Sequence, residues 1–117
     1  MTRDMDLFRK VLLEIEQVPP GQWRQINVAG ATSEEVRYHA KLADDAGFVE
    51  ARFLGNSTTE FAAQRLTNSG HEFLEAARND NLWLAAKKKM MDSAGVLTIE
   101  GLKLVLQEVV KAALHRT

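Results

Sequence analysis

A chain of 117 residues, with 45% hydrophobic and 26% charged side chains, has the size and composition of one folded domain or of one domain with an added helical tail. It contains no cysteine, which excludes disulfides and thiolate zinc sites, and its net charge of −1 lacks the basic excess typical of a non-specific DNA binder. Charges recur through the first ten residues and no apolar run is long enough to span a bilayer, so we expect a cytoplasmic protein without a signal peptide or membrane segment.

The N-terminal part of the chain predicts a helix followed by a short strand. Apolar residues recur at helical spacing from Asp4 to Gln17, and Pro19-Pro20-Gly21 then ends the helix because proline cannot continue its hydrogen-bond ladder. Apolar and polar residues alternate from Gln22 to Val28, which predicts a strand there.

A second helix is predicted from its end signals. Thr32 or Ser33 is its cap, and Thr32 with Glu35 has the spacing of a capping box. Gly47 is a natural C-terminal stop. Only residues 27–31, which include the end of the predicted strand, directly precede this cap, and they are too few for more than one helical turn.

The remainder of the chain predicts a β-hairpin followed by three helices. Polar, turn-forming residues at 55–59 separate two apolar strands, and later Thr, Asn and Gly residues mark helix boundaries. The predicted ranges are strands 48–54 and 61–66 and helices 69–78 and 82–92, followed by a last helix that Thr98 caps and that runs to about residue 115.

Two fragments, EEVRYHAKLADDAGFVEA and RLTNSGHEFL, resemble the recognition helix and the strand-to-helix step of winged-helix regulators of the MarR, ArsR and PadR kinds. From end to end the chain also resembles domain of unknown function 2513, a family of small proteins from bacteria and their prophages. RDMDLFRKVLLEIE, LTNSGHEFLEAARND and the run from Trp83 to Lys89 carry that likeness. The resemblance implies an α+β, mainly α fold: a winged helix-turn-helix-like domain with a β-hairpin wing and two added C-terminal helices. It implies no particular activity.

The resemblance makes the second helix and the hairpin a candidate DNA interface. Arginine can read guanine, while tyrosine and lysine can hold phosphates. The candidate DNA-binding residues are Ser33, Arg37, Tyr38 and Lys41 on the helix, with Arg52 and Arg65 on the strands. The helix also carries four acidic residues against two basic ones, and the two strand arginines can equally pair with Glu50 or Glu60. A solvated helix face therefore remains an alternative.

The last helix is apolar on more than one side and needs cover from a neighbour. We expect residues 1–78 to form the winged-helix-like domain and residues 79–117 to form a helical extension that mediates a homodimer. The preceding Trp83 helix could instead cover this face within the chain. The candidate interface residues are Trp83, Leu102, Val105, Leu106, Val109 and Val110.

Two functions fit these patterns. The first is a DNA-binding transcriptional regulator of phage or bacterial origin, with double-stranded DNA as its partner. The second is a non-catalytic protein-interaction module that keeps the fold without binding DNA, for example a phage-encoded inhibitor of a host or phage protein. No nucleophile elbow, phosphate loop or dinucleotide fingerprint occurs, and the histidines lack metal-ligand spacing. We therefore expect no enzyme activity, no cofactor and no metal. His39 and His71 are each expected to be a partly buried residue bonded to the backbone.

Overall fold

The computed structural model describes residues 1–114, which form five helices and one two-stranded antiparallel sheet. The coarse class, α+β and mainly helical, is as expected. The elements are α1 (Met5–Glu16), α2 (Ser33–Asp45), β1 (Val49–Phe53), β2 (Phe61–Leu66), α3 (Asn68–Ala77), α4 (Asp80–Ala94) and α5 (Ile99–Leu114). The predicted end of the last helix, His115, lies outside the described residues. The chain divides into two compact units, Met1–His71 and the part that begins at Glu72.

Helix α1 matches its predicted range to within one residue at each end. Asp4 is its N-cap, because the Asp4 carboxylate accepts hydrogen bonds from the backbone N–H groups of Asp6 and Leu7 at 3.0 and 3.1 Å. The apolar stripe that predicted the helix is its buried face, with Phe8 and Leu12 fully enclosed.

The strand predicted over Gln22 to Val28 is wrong, because this segment makes a single antiparallel bridge, Arg24 to Ala63. The two residues exchange backbone hydrogen bonds of 2.9 Å in both directions. The next rung would pair residue 26 with Phe61, but the Gln25 side chain already accepts from the Phe61 N–H at 3.0 Å. The Gln25 amide also donates to the Thr59 carbonyl at 3.1 Å. A side chain thus occupies the positions that the backbone of a strand would use.

Helix α2 begins and ends as predicted. The Thr32 hydroxyl accepts from the Glu35 N–H at 3.1 Å, and the Glu35 carboxylate accepts from the Thr32 N–H at 2.9 Å, which completes the capping box. At the other end Gly47 has a φ of 77°, and the N–H groups of Gly47 and Phe48 bond back to the last turn of the helix. No helix intervenes between α1 and α2 in the described chain, in keeping with the short connection.

The hairpin pairs β1 with β2 antiparallel and has one irregularity in register between Glu50 and Ala51. At its tip the Ser57 hydroxyl accepts hydrogen bonds from the N–H groups of Thr59 and Glu60, at 3.1 and 2.8 Å. This turn fixes the positions of Leu54 and Glu60, which lie on either side of the tip.

The second unit contains α4 and α5, with Asn79 and Thr98 as side-chain caps for their N-termini. Lys89 on α4 pairs with Glu108 on α5 at 2.9 Å. Three of the residues assigned to a dimer interface, Trp83, Leu102 and Leu106, are buried in the single chain, with no more than 2% of their surface exposed. The other three, Val105, Val109 and Val110, are half-buried. Across residues 1–114, none of the helices combines the length and apolar character needed to cross a membrane.

Candidate functional site

The outward side of α2 lies next to the hairpin, and together they contain all six residues expected to contact DNA. Ser33 is exposed in the first turn of α2, beside exposed Glu34. Tyr38 is half-buried and its ring meets the His39 ring edge-on at 5.3 Å. Lys41 is exposed further along the same side.

Arg37 ties α2 to the hairpin. Its guanidinium donates to the backbone carbonyl of Leu54 at 2.8 Å and to that of Glu60 at 3.1 Å. The same group lies 5.3 Å from the centre of the Phe53 ring. Arg37 therefore bridges the two sides of the hairpin tip, which is a structural role that the sequence pattern did not reveal.

Lys41 lies between two carboxylates of its own helix. Its ammonium is 3.3 Å from Asp44 and 3.4 Å from Asp45. Hydrogen bonding to Asp44, followed by Asp45, raises the pKa of Lys41 above its ordinary value. The ammonium also lies 5.2 Å from the centre of the Phe53 ring, so that Arg37 and Lys41 share one aromatic neighbour.

The two strand arginines differ in their surroundings. Arg65 is paired with Glu50 at 2.6 Å and donates to the Leu66 carbonyl at 3.1 Å, so the predicted alternative of pairing with Glu50 is confirmed for Arg65. Arg52 is exposed, and its guanidinium lies over the Trp23 ring at 4.1 Å from the ring centre. Within the described chain the Arg52 guanidinium makes no hydrogen bond or ion pair.

The charge of the first unit is unfavourable for a polyanion. Residues 1–71 contain eight basic and ten acidic side chains, a formal net charge of −2. On α2, exposed Glu34 and Asp45 stand on the same side as Lys41. Phosphate contacts depend on an excess of positive charge at the interface, and this helix does not provide one.

His39 is the buried polar residue of the described chain, with 1% of its surface exposed. Its Nδ1 lies 2.8 Å from the Glu35 carbonyl, and its Nε2 accepts from the Asp4 N–H at 2.8 Å. This arrangement requires a neutral ring that is protonated on Nδ1. The expected bonding to the backbone is confirmed for His39, which is fully rather than partly buried, and the contact joins the start of α1 to α2. For His71 the expectation of partial burial is wrong, because its side chain is exposed in the first turns of α3.

A shallow groove of about 380 Å³ lies beside the outer end of the hairpin. Sequence reasoning missed it, although an apolar pair, Phe53-Leu54, directly before a polar turn was a signal that could have drawn attention to it. Leu54 is 57% exposed. The lining residues are Gln25, Arg52, Phe53, Leu54, Glu60, Phe61 and Ala62.

Among residues 1–114 there is no group of three or more histidine, aspartate or glutamate side chains placed to hold a metal ion. The side chains that α2 and the hairpin bring together are aromatic, basic and carboxylate groups.

The family described as "Hypothetical protein (DUF2513)" matches residues 2–97, and the chain belongs to this family. The chain is also similar to a protein of Haemophilus influenzae described as "Uncharacterized protein". The two are 32% identical over 117 residues, which cover 97% of this chain and 99% of the relative. No solved structure matches the chain.

Proposed function

We propose that this member of the DUF2513 family is a non-catalytic protein-interaction module on a winged-helix-like unit, and that the outward side of α2 is its contact face. The supporting observation is that three of the four basic side chains of the expected DNA interface are bonded to carbonyls or paired with carboxylates within the chain, and that the fourth lies over an aromatic ring. Arg37 is bonded to two carbonyls, and Lys41 and Arg65 are paired with carboxylates. Arg52 is stacked on Trp23.

The order of elements supports a winged-helix origin for this unit. Helix α2 is followed by the β1–β2 hairpin and then by α3, which is the order of recognition helix, wing and following helix. The helix that normally supports a recognition helix has no counterpart between α1 and α2 in the described chain. Loss of that support fits a domain that keeps the fold and uses α2 for another partner.

The contact face itself has a mixed character that suits a protein. Exposed Glu34 and Asp45 border half-buried Tyr38, whose ring provides apolar area with a polar tip. A partner with a basic patch around an apolar centre complements this arrangement.

Affinity capture with matched variants tests this function. The tagged protein is incubated with an extract of the bacterium that encodes it, and captured proteins are quantified for wild type, for the charge reversals Glu34→Lys and Asp45→Lys, and for Glu14→Lys on exposed α1 surface. We expect a partner that wild type and Glu14→Lys retain equally and that the two α2 variants lose. A partner retained equally by all four proteins contradicts the assignment of the contact face.

DNA binding by a transcriptional regulator is the second candidate. Exposed Ser33 at the start of α2 and the unbonded guanidinium N–H groups of Arg52 favour it. Fluorescence anisotropy with duplex DNA at low salt separates the two functions. If the affinity for DNA falls steeply with salt and is lower for Lys41→Ala and Arg52→Ala, the protein is a DNA-binding regulator and the interaction-module proposal is wrong.

A homodimer is also proposed, with fewer interface residues than the six that the sequence suggested. Because Trp83, Leu102 and Leu106 are buried in the single chain, the half-buried Val105, Val109 and Val110 of α5 are the remaining candidates for its interface. Light scattering at micromolar concentration should give twice the 13.1 kDa chain mass, and a monomeric mass would exclude the dimer.

A further inference from the structure

We infer that the groove beside the hairpin binds an extended peptide of a partner protein in which an apolar side chain lies between an acidic and a basic one. This inference rests on the proposed interaction function and names the partner segment that the module recognises. The groove lies on the hairpin and is distinct from the α2 contact face, so the two can be tested separately.

The walls of the groove provide the apolar subsite. Phe53 and Phe61 are stacked, with ring centres 5.5 Å apart and planes 12° from parallel. Phe61 is buried, while Leu54, which also lines the groove, is 57% exposed, so the groove has an enclosed floor and an open rim. A volume of about 380 Å³ accommodates one large apolar side chain together with flanking peptide.

Two charges of opposite sign, neither with an ion-pair partner in the described chain, border that subsite. Arg52 is held over Trp23, and in the described chain its guanidinium N–H groups make no hydrogen bond. The Glu60 carboxylate likewise has no hydrogen-bond or ion-pair partner among the described residues, although the Glu60 backbone N–H and carbonyl are both bonded. An acidic side chain complements Arg52 and a basic one complements Glu60, which sets the charge pattern of the peptide.

The groove is preorganised by contacts from outside the hairpin. Arg37 holds the carbonyls of Leu54 and Glu60 from one side. The Gln25 amide holds the Thr59 carbonyl and the Phe61 N–H from the other. A groove that is already ordered loses little conformational entropy when a peptide binds.

Nuclear magnetic resonance titration of the ¹⁵N-labelled full chain with defined capped peptides tests the inference. The probes are Gly-Ser-Asp-Leu-Lys-Ser-Gly, its charge-exchanged form Gly-Ser-Lys-Leu-Asp-Ser-Gly, and versions of both with Ser in place of Leu. We expect one charged order to bind, with shifts at residues 25, 52–54 and 60–62, and the Ser version to bind roughly tenfold or more weakly. Binding of neither Leu peptide to the folded wild type, or equal binding of the Leu and Ser versions, would overturn the proposal.

Charge exchange in the protein tests complementarity. Arg52→Ala should lower the affinity for the preferred peptide. Arg65→Ala is the control, because Arg65 lies on the same sheet but does not line the groove, and it should leave the peptide affinity unchanged. The double variant Arg52→Glu with Glu60→Arg should prefer the opposite charge order. Unchanged preference in that variant would contradict the inference.

These results are independent of the affinity capture described above. If a partner depends on Glu34 and Asp45 but neither peptide binds the groove, the interaction function stands and the groove proposal is wrong. If the peptide binds as expected but the partner is insensitive to the α2 variants, the α2 contact face is wrong and the groove remains a peptide site.

Discussion

Gly70 lies so close to the main chain of Phe48 that a β-carbon at position 70 would overlap the Phe48 carbonyl oxygen. That oxygen accepts a hydrogen bond from the Thr67 N–H at 2.8 Å. The Thr67 hydroxyl donates to the Gly47 carbonyl at 2.6 Å and accepts from the Gly70 N–H at 3.1 Å. The end of α2 and the start of α3, which supply two separate fragments of the family resemblance, are thus joined at one contact.

Gly70→Ala should therefore destabilise the protein, although alanine is the better helix former at an unconstrained position. The added methyl group meets backbone that cannot rotate away, and we expect a loss of about 2–4 kcal/mol in the free energy of unfolding. Urea denaturation followed by circular dichroism measures it.

Two other glycines provide controls for that variant. Gly55→Ala meets no atom within 4 Å and should be close to neutral. At Gly101 the added carbon meets the end of the Met90 side chain and the capping hydroxyl of Thr98. Both are side-chain atoms rather than backbone, and the Met90 end can move, so Gly101→Ala should cost less than Gly70→Ala. Equal losses at positions 55 and 70 would show that the contact with Phe48 does not constrain the fold.

His39→Leu should lower stability even though leucine is apolar and of similar volume. The substitution leaves the partly buried Asp4 N–H without its ring acceptor, and the loss of such a hydrogen bond costs about 1 kcal/mol. His71→Leu at an exposed position of α3 is the matched control and should change stability by less than about 0.5 kcal/mol. Thermal unfolding of the three proteins makes the comparison, and equal midpoints would argue against a structural role for His39.

Arg37→Lys should loosen the hairpin tip without unfolding the protein. A single ammonium cannot reproduce the guanidinium fork that spans the Leu54 and Glu60 carbonyls, and each lost charged hydrogen bond is worth about 1.5–3 kcal/mol at most. Hydrogen exchange at residues 54–60 should accelerate, whereas Lys41→Ala should leave that rate unaltered. Unchanged exchange in Arg37→Lys would mean that the two carbonyl contacts contribute nothing to the order of the tip.

The capping box should contribute a part of the folding stability that is lost at acidic pH. Hydrogen bonds from the Thr32 N–H and hydroxyl hold the pKa of Glu35 below its ordinary value. The unfolded chain then binds the proton more tightly, so this contribution is present above the ordinary glutamate pKa and is lost as pH falls through the lowered folded value. Glu35→Gln should show a shallower loss of stability between neutral and acidic pH than wild type. Parallel profiles would exclude Glu35 as a source of the dependence.

Helix α2 shows how much could be predicted from the sequence. Thr32 bonds Glu35 three residues away, and Gly47 turns the chain back on the preceding residues, so both ends depend on groups that are adjacent in the chain. The hairpin is similar, because its polar turn separates two short apolar runs. The strand predicted over Gln22 to Val28 was wrong because the Gln25 side chain bonds residues that are 34 and 36 positions away.

The candidate site depended still more on tertiary structure. The sequence by itself determined that Arg37 faces outward on a helix before a hairpin, since helix periodicity needs only nearby residues. Only the tertiary structure decided that this arginine binds carbonyls 17 and 23 residues away, that Arg65 pairs with Glu50, and that Arg52 lies on Trp23. A local pattern specifies which side of an element a side chain occupies, whereas its partner depends on which distant segments the buried core brings alongside.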